Sequence, residues 1–335
     1  VRINLLGKTG VRISSLCMGT MTFGDTRDEA TSEALYRRCR EAGIYTFDCA
    51  NVYSAGRAEQ ILGRLMRNER HQLVVTSKVG FPMGTDENDR GLSRRHILSS
   101  IEASLRRLST DRLDLLFLHR FDENTPMDET LRAVDALVQQ GKVLYVGVSN
   151  WSAWQTAKAL GISSREGLAP VSCVQPMYNL VKRQAEVEIL PLARSEQLGV
   201  LTYSPLGGGL LTGKYGIDRR PKAGRLVDNA MYATRYGGES PLRTAASLAS
   251  MAREYGVQPG TLAIAWVMAH AAVTAPIIGA RNLDQLEASL AALSFPMDRD
   301  LYARISSLSA TPPPATDRSE EQQGVQYKGS SESYR

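Results

Sequence analysis

Eight short runs of apolar and β-forming residues recur along the 335-residue chain, at 15–19, 45–48, 73–78, 113–119, 143–149, 171–176, 199–204 and 274–278. Between them, segments 29–42, 93–108, 127–140, 186–196, 241–255 and 282–293 carry apolar residues at three- and four-residue spacing, the pattern of a helix with one buried face. Alternating strand and helix demands parallel strands joined by crossovers. Runs such as Leu113-Asp114-Leu115-Leu116-Phe117-Leu118 and Val143-Leu144-Tyr145-Val146-Gly147-Val148 are apolar almost throughout, as parallel strands are when helices cover one side and a packed core the other. Eight such units most simply close on themselves, so the expected fold is α/β, a (β/α)8 TIM barrel. The alternative is an open doubly wound sheet. It normally carries a Gly-x-Gly-x-x-Gly turn after its first strand, and Gly19-Thr20-Met21-Thr22-Phe23-Gly24 is not that motif.

The two ends read differently. Residues 3–6 and 11–14 flank Gly7-Lys8-Thr9-Gly10 and predict a β-hairpin that caps the N-terminal mouth of the barrel. Thr311-Pro312-Pro313-Pro314 ends helical order, and 316–335 is almost wholly polar. The expected organisation is one barrel domain over 1–310 and a polar tail over 311–335, disordered or draped on a neighbouring surface.

Several function classes are unfavoured by composition. No apolar run approaches the roughly 20 residues of a membrane span, and no export signal opens the chain, so a cytoplasmic protein is expected. Cys17, Cys39, Cys49 and Cys173 are scattered and form no Cys-x-x-Cys pair, which suits buried reduced thiols and predicts no metal site. A net charge of +5, spread over helix faces, lacks the basic stripe of a nucleic-acid reader. The partners expected are a small molecule and, at most, further copies of the chain.

In a barrel of this kind the C-terminal strand ends face the active site. Asp48 closes the second predicted strand, Lys78 the third and His119 the fourth. Ser149 and Asn150 follow the fifth, Gln175 ends the sixth, and Tyr203 and Ser204 finish the seventh. Tyr53 lies in the loop after Asp48. A free phenol, with a pKa of about 10, is a poor proton donor at neutral pH. A lysine ammonium beside it lowers that value, and Asp48 would keep Lys78 charged and oriented. His119 would then hydrogen-bond a carbonyl oxygen and turn it toward the phenol. Read singly, each residue has a plainer role: an ion pair, a wall aromatic, a core histidine. His71, His96 and His270 carry no such pattern.

These residues fall in Phe47-Asp48-Cys49-Ala50-Asn51-Val52-Tyr53 with Gly56 and Glu59, Thr76-Ser77-Lys78, Leu115-Leu116-Phe117-Leu118-His119-Arg120, Gly147-Val148-Ser149-Asn150, Gln175-Pro176-Met177-Tyr178-Asn179, Tyr203-Ser204-Pro205-Leu206 with Gly213-Lys214-Tyr215, and Ile278-Gly279-Ala280-Arg281-Asn282 with Gln285. In order and spacing they resemble the aldo-keto reductase superfamily over about 5–308, most closely its bacterial and plant branches and the potassium-channel β subunits. The resemblance implies an NADPH-dependent reductase of aldehydes, ketones or keto sugars, with Asp48, Tyr53, Lys78 and His119 as catalytic tetrad and Tyr53 as general acid. It implies that Ser149, Asn150 and Gln175 hold the nicotinamide carboxamide, that Tyr203 stacks on the ring, and that Gly19, Thr20 and Met21 form the floor.

For the phosphates, Gly207-Gly208-Gly209 would let backbone approach closely, with Ser204, Pro205 and Leu206 also expected to bind cofactor, Lys214 closing over it, and Gly279, Arg281 and Gln285 following the last strand. A guanidinium fork at Arg281 suits a 2′-phosphate, which favours NADPH over NADH. Relatives often read Gln-Leu-x-Glu-Asn where this chain has Gln285-Leu286-Glu287-Ala288-Ser289, so the acid and amide that would bond adenine are absent. Substrate walls are expected from Phe23, Phe81, Phe121, Trp151 and the 216–240 insertion with Tyr232 and Tyr236. The alternative to a reductase is an NADPH-binding regulatory subunit of the channel kind with weak reductase activity. A carboxylate hydrolase would need a second acid at the rim beside Asp48.

Overall fold

The computed structural model describes residues 2–25, 28–217 and 219–316. Strands β1 (Ile3–Leu5) and β2 (Arg12–Ser14) pair antiparallel, Ile3 opposite Ser14, as the predicted hairpin. After it the chain alternates: β3 (Cys17–Gly19), α1 (Glu29–Glu41), β4 (Thr46–Asp48), α2 (Arg57–Leu65), β5 (Val74–Val79), α3 (Arg94–Leu108), β6 (Leu113–Leu118), α4 (Met127–Gln139), β7 (Val143–Ser149), α5 (Ala153–Glu166), β8 (Val171–Gln175), α6 (Ile189–Ser195) and β9 (Gly199–Thr202). A longer excursion of α7 (Arg225–Asp228), α8 (Ala230–Tyr236), α9 (Glu239–Glu254) and α10 (Pro259–Ala269) precedes β10 (Ala275–Ile278), α11 (Leu283–Leu290) and α12 (Arg299–Ser306).

Strands β3 to β10 are parallel and close into a barrel, β10 pairing with both β3 and β9. Several strands are shorter than the apolar runs suggest. Before β3, the Ser14 backbone N–H and hydroxyl bond the Thr46 hydroxyl and the Leu16 carbonyl, so local side-chain bonds replace a ladder. After β9, Ser204 turns left-handed at φ 57° and ends the pairing.

Helix boundaries follow local chemistry. Asp28 and Ser93 cap α1 and α3 through side-chain oxygens, and Ser152 with Gln155 forms a capping box at α5 that Gly167 closes at φ 66°. Helix α10 has no amphipathic period because residues 260–267 are all buried, so its sequence reads as a uniform apolar run. The 216–240 insertion carries α7 and α8, the second capped by the Asn229 side chain. Residues 311–316 hold no helix or strand, and 317–335, the rest of the expected tail, lie outside the described residues.

Two cores result. The larger lies between strands and helices. The smaller fills the barrel with Cys17, Leu115, Phe117, Cys173, Leu201, Ala275 and Ile277, and the hairpin closes it from below with Leu6 and Ile13. Leu6 packs against Gly199 so closely that a Cβ there would stand 2.4 Å from its Cδ1. Cutting Leu6→Ala opens a cavity at the barrel floor, and the expected loss is about 2–5 kcal/mol of unfolding free energy, read as a fall in the denaturant midpoint. An unchanged midpoint would mean that the hairpin is not part of the core.

Candidate active site

The four residues expected to meet at the strand ends do meet. Asp48 ends β4, Lys78 lies near the end of β5, His119 follows β6, and Tyr53 opens a tight turn, Tyr53–Gly56, just before α2. The Lys78 ammonium is buried and uses three donors. It bonds Asp48 Oδ2 at 2.5 Å, the Cys49 carbonyl at 2.7 Å and the Tyr53 hydroxyl oxygen at 3.3 Å. The other Asp48 oxygen accepts from the Thr76 hydroxyl at 2.7 Å and the Gln175 amide at 2.9 Å. A buried ion pair persists only when the remaining lone pairs and protons are bonded, and here they are.

Because the Tyr53 oxygen accepts from Lys78, its own proton is free to point elsewhere. The His119 ring stands edge-on to the Tyr53 ring, centroids 6.2 Å apart, and edge-on to Phe81 at 4.6 Å. His119 Nδ1 is buried with no bonding partner among the described residues.

The electrostatics depart from expectation at one point. Burial opposes the charge on Lys78, but Asp48 and the phenol outweigh it, so its pKa lies above the usual lysine value. For Tyr53, burial pushes the pKa up to about 12 against the pull of Lys78, and Asp48 adds to the rise. The expected lowering below 10 is therefore not found: desolvation of a phenolate in this pocket exceeds the stabilisation that Lys78 gives, and the Asp48 charge offsets part of that stabilisation. Burial, and then the charge of Lys78, push His119 down to about 2, which keeps its ring neutral.

One cleft of about 1220 Å³ opens over this group. Of the residues expected to bind cofactor, Gly19, Met21, Asp48, Ser149, Asn150, Gln175, Tyr203, Ser204, Pro205, Leu206, Gly209, Lys214, Gly279, Arg281 and Gln285 line it. Thr20 and Gly207 do not. Thr20 is buried, with its hydroxyl on the Asp48 carbonyl, and Gly207 is buried beneath the cleft wall. Two expected substrate residues also stand outside the lining. Phe23 is wholly buried in the larger core and presents its carbonyl to Ser54. Trp151, 5% exposed, packs edge-on against Phe121 at 5.1 Å. Strand-end position alone cannot separate a rim aromatic from one folded back onto a helix. Phe81, Met231 and Tyr232 form the apolar wall instead.

The carboxamide-type groups are prearranged. Asn150, left-handed at φ 58°, donates to the His119 carbonyl and accepts from the Tyr203 hydroxyl at 2.6 Å. Ser149 donates to the Gln175 carbonyl, and Asn179 holds the Ser204 carbonyl.

At the far end Gly208 and Gly209 turn left-handed, φ 66° and 97°, with Tyr232 and Lys214 against the faces where side chains would stand. Lys214 is depressed by burial and by Arg281 and Arg225, two cations crowding a third. Arg225, Arg235 and Arg281 line the cleft without a carboxylate partner among the described residues. Arg225 and Arg235 escaped the sequence reading. The available signal was an excess of Arg and Lys over acids between 214 and 235.

A family model for the aldo/keto reductase family matches residues 15–310. The chain belongs to this family. It is 40% identical to a probable voltage-gated potassium channel subunit beta of Oryza sativa subsp. japonica over 86% of this chain and 90% of that protein. The corresponding protein of Arabidopsis thaliana is 38% identical over the same shares. An uncharacterized oxidoreductase, YrpG, of Bacillus subtilis (strain 168) is 36% identical over 92% of this chain and 95% of its own length. Family and fold make this aldo/keto reductase an oxidoreductase. Among the described residues no helix is long and apolar enough to cross a membrane, and no group of three His, Cys, Asp or Glu could hold a metal.

The neutral His119 gives a test free of any substrate. An unfolded chain takes up a proton here below about pH 6.5, whereas the folded one does so only near 2. This group's stability contribution is complete above about 6.5 and is lost as pH falls toward 2. The drop in Tm between pH 7 and pH 4.5 should be smaller in His119→Gln than in the parent; equal drops would contradict a buried neutral imidazole.

Proposed function

We propose that this aldo/keto reductase is an NADPH-dependent carbonyl reductase, acting on an aldehyde, ketone or keto sugar with Tyr53 as the general acid. One observation carries the reading: the Tyr53 hydroxyl accepts from a permanently charged Lys78 and keeps its own proton available to a cleft that His119 also lines. At a pKa of about 12 the phenol holds its proton throughout the neutral range. It is then matched to an alkoxide, a much stronger base than water, so the proton passes only as charge develops on the carbonyl oxygen. The bond from Lys78 stabilises the phenolate left behind. His119, neutral, donates a hydrogen bond to the same oxygen without competing for its proton.

The cleft's residues fit a dinucleotide. Gly208 and Gly209 turn left-handed in the cleft lining, with the Lys214 side chain against Gly209, and Lys214, Arg225 and Arg281 form a cationic cluster, only partly offset by Asp228, that suits a pyrophosphate and a 2′-phosphate. NADPH bound there supplies the hydride. Ser149, Asn150 and Gln175 are the amide and hydroxyl groups that would orient the nicotinamide edge, and Tyr203 is the aromatic that would lie on its face. At the adenine end Ala288 and Ser289 line the cleft and Glu287 is ion-paired with Arg38, so the cationic cluster supplies most of the discrimination. The four buried free thiols suit a cytoplasmic setting. The two plant relatives are named as channel subunits, which lends slight support to a second reading, in which the chain is a regulatory subunit that binds NADPH and reduces carbonyls only slowly.

Turnover decides between them. With a panel of aldehydes, ketones and keto sugars, the parent chain should consume NADPH at ordinary enzymatic rates. Tyr53→Phe should lower kcat by about a hundredfold or more with NADPH binding unchanged. Undiminished turnover in that variant removes Tyr53 from the acid role. Arg281→Ala should weaken NADPH about tenfold or more while leaving NADH nearly unaffected; equal losses would overturn the 2′-phosphate assignment.

A further inference from the structure

A second carboxylate, Glu59 on α2, is wholly buried in the helix layer and takes no part in the chemistry above. Both its oxygens are engaged. Oε1 accepts from the Ser77 hydroxyl at 2.5 Å, and Oε2 accepts from Arg107 Nε of α3 at 2.7 Å. Ser77 precedes Lys78 on β5. Successive strand residues point to opposite faces, so Ser77 faces the helices while Lys78 faces the barrel.

Arg107 leads to the other half of the pair. Its side chain lies flat on Gly56, where an added Cβ would stand 2.8 Å from both Cδ and Nε. Gly56 ends a turn of three left-handed residues, Ser54 (φ 49°), Ala55 (φ 53°) and Gly56 (φ 90°), which begins directly after Tyr53. Two of the three carry a Cβ, and such backbone persists only where its surroundings over-determine it. Here the Ser54 hydroxyl bonds the Phe23 carbonyl at 3.0 Å on one side, and Arg107 closes the other.

We propose that Glu59 is a positioning residue for the tyrosine–lysine pair, one oxygen fixing β5 beside Lys78 and the other, through Arg107, fixing the strained turn that carries Tyr53. The inference rests on the reading of Tyr53 as proton donor. The bond it serves is 3.3 Å long, near the limit at which a hydrogen bond survives, so a shift of a few tenths of an ångström breaks it. The carboxylate adds a link between β5 and the turn to the backbone bonds that Cys49 and Asn51, earlier in the same loop, make to the Thr76 and Lys78 carbonyls.

Glu59→Gln keeps an acceptor for Ser77 and removes the charge that holds Arg107. It should lower kcat by about tenfold or more, with KM and the NADPH dissociation constant within about twofold of the parent. Ser77→Ala and Arg107→Met should show the same split, Arg107→Met at greater cost to folding because it leaves the buried Glu59 carboxylate without its cation. The Glu59→Gln/Arg107→Met double variant should be no slower than the slower single, because both break one connection.

Asp114→Asn is the control. It disrupts a partly buried ion pair with Arg70 at the start of β6, remote from the turn, and should lower Tm with kcat intact. An unchanged kcat in Glu59→Gln, a matching loss of kcat in Asp114→Asn, or losses that multiply in the double variant would each overturn the proposal. If the parent chain reduces no carbonyl, the proposed function fails instead, and the clamp is judged by a crystal structure of Glu59→Gln. The separation between the Tyr53 hydroxyl and the Lys78 amine should then exceed 3.3 Å; an unaltered separation would overturn it.

Discussion

The buried ion pair between Lys78 and Asp48 is the constraint on which the site depends. Neither charge would survive alone in the barrel mouth, where removing an ion from water costs several kcal/mol even after relaxation. Together they survive because the ammonium meets three acceptors and the carboxylate accepts bonds from Lys78, Thr76 and Gln175. Those partners sit on β4, β5 and β8, so the pair ties together strands far apart in sequence and sets the one direction in which Lys78 can reach a phenol. The barrel supplies the rigidity: its interior below the pair is packed with Leu115, Phe117, Cys173 and Leu201 and closed by the hairpin.

Electrostatics divide the cleft into two ends. At the catalytic end charge is neutralised and held in place, with Tyr53 and His119 both kept uncharged by burial. At the other end Lys214, Arg225 and Arg281 repel one another, and Asp228 relieves the crowding at Lys214 only in part. A folded protein tolerates such a cluster when it is exposed or when a polyanion binds there. Under the proposed function the same ligand spans both ends, its phosphates meeting the cations and its reactive ring meeting the phenol.

Much of this was legible in the sequence because barrel geometry converts strand position into spatial position. Asp48, Lys78, His119, Ser149, Gln175 and Tyr203 end consecutive apolar runs, and closing the strands into a ring brings those ends together without further information. What was not legible depended on direction and depth. Phe23 and Trp151 occupy the right places in sequence, yet Phe23 turns into the core and Trp151 packs on Phe121. Helix α10 was invisible to periodicity because every side faces protein. The sign of the Tyr53 shift is not legible in sequence because a neighbouring cation is visible in a motif, whereas the degree of desolvation is a property of the finished fold. Arg225 and Arg235 lie in an insertion whose short helices have no apolar rhythm, and their convergence on the cleft is a matter of tertiary packing alone.

The most direct test of the account is the ionisation state of the Lys78 amine, followed through its 15N or side-chain 13C resonance in a pH titration of the intact protein. The ammonium should stay charged beyond the usual lysine midpoint of about 10.4, held there by Asp48. An amine that loses its proton near neutral pH would leave the phenol without its cation and contradict the buried ion pair with Asp48.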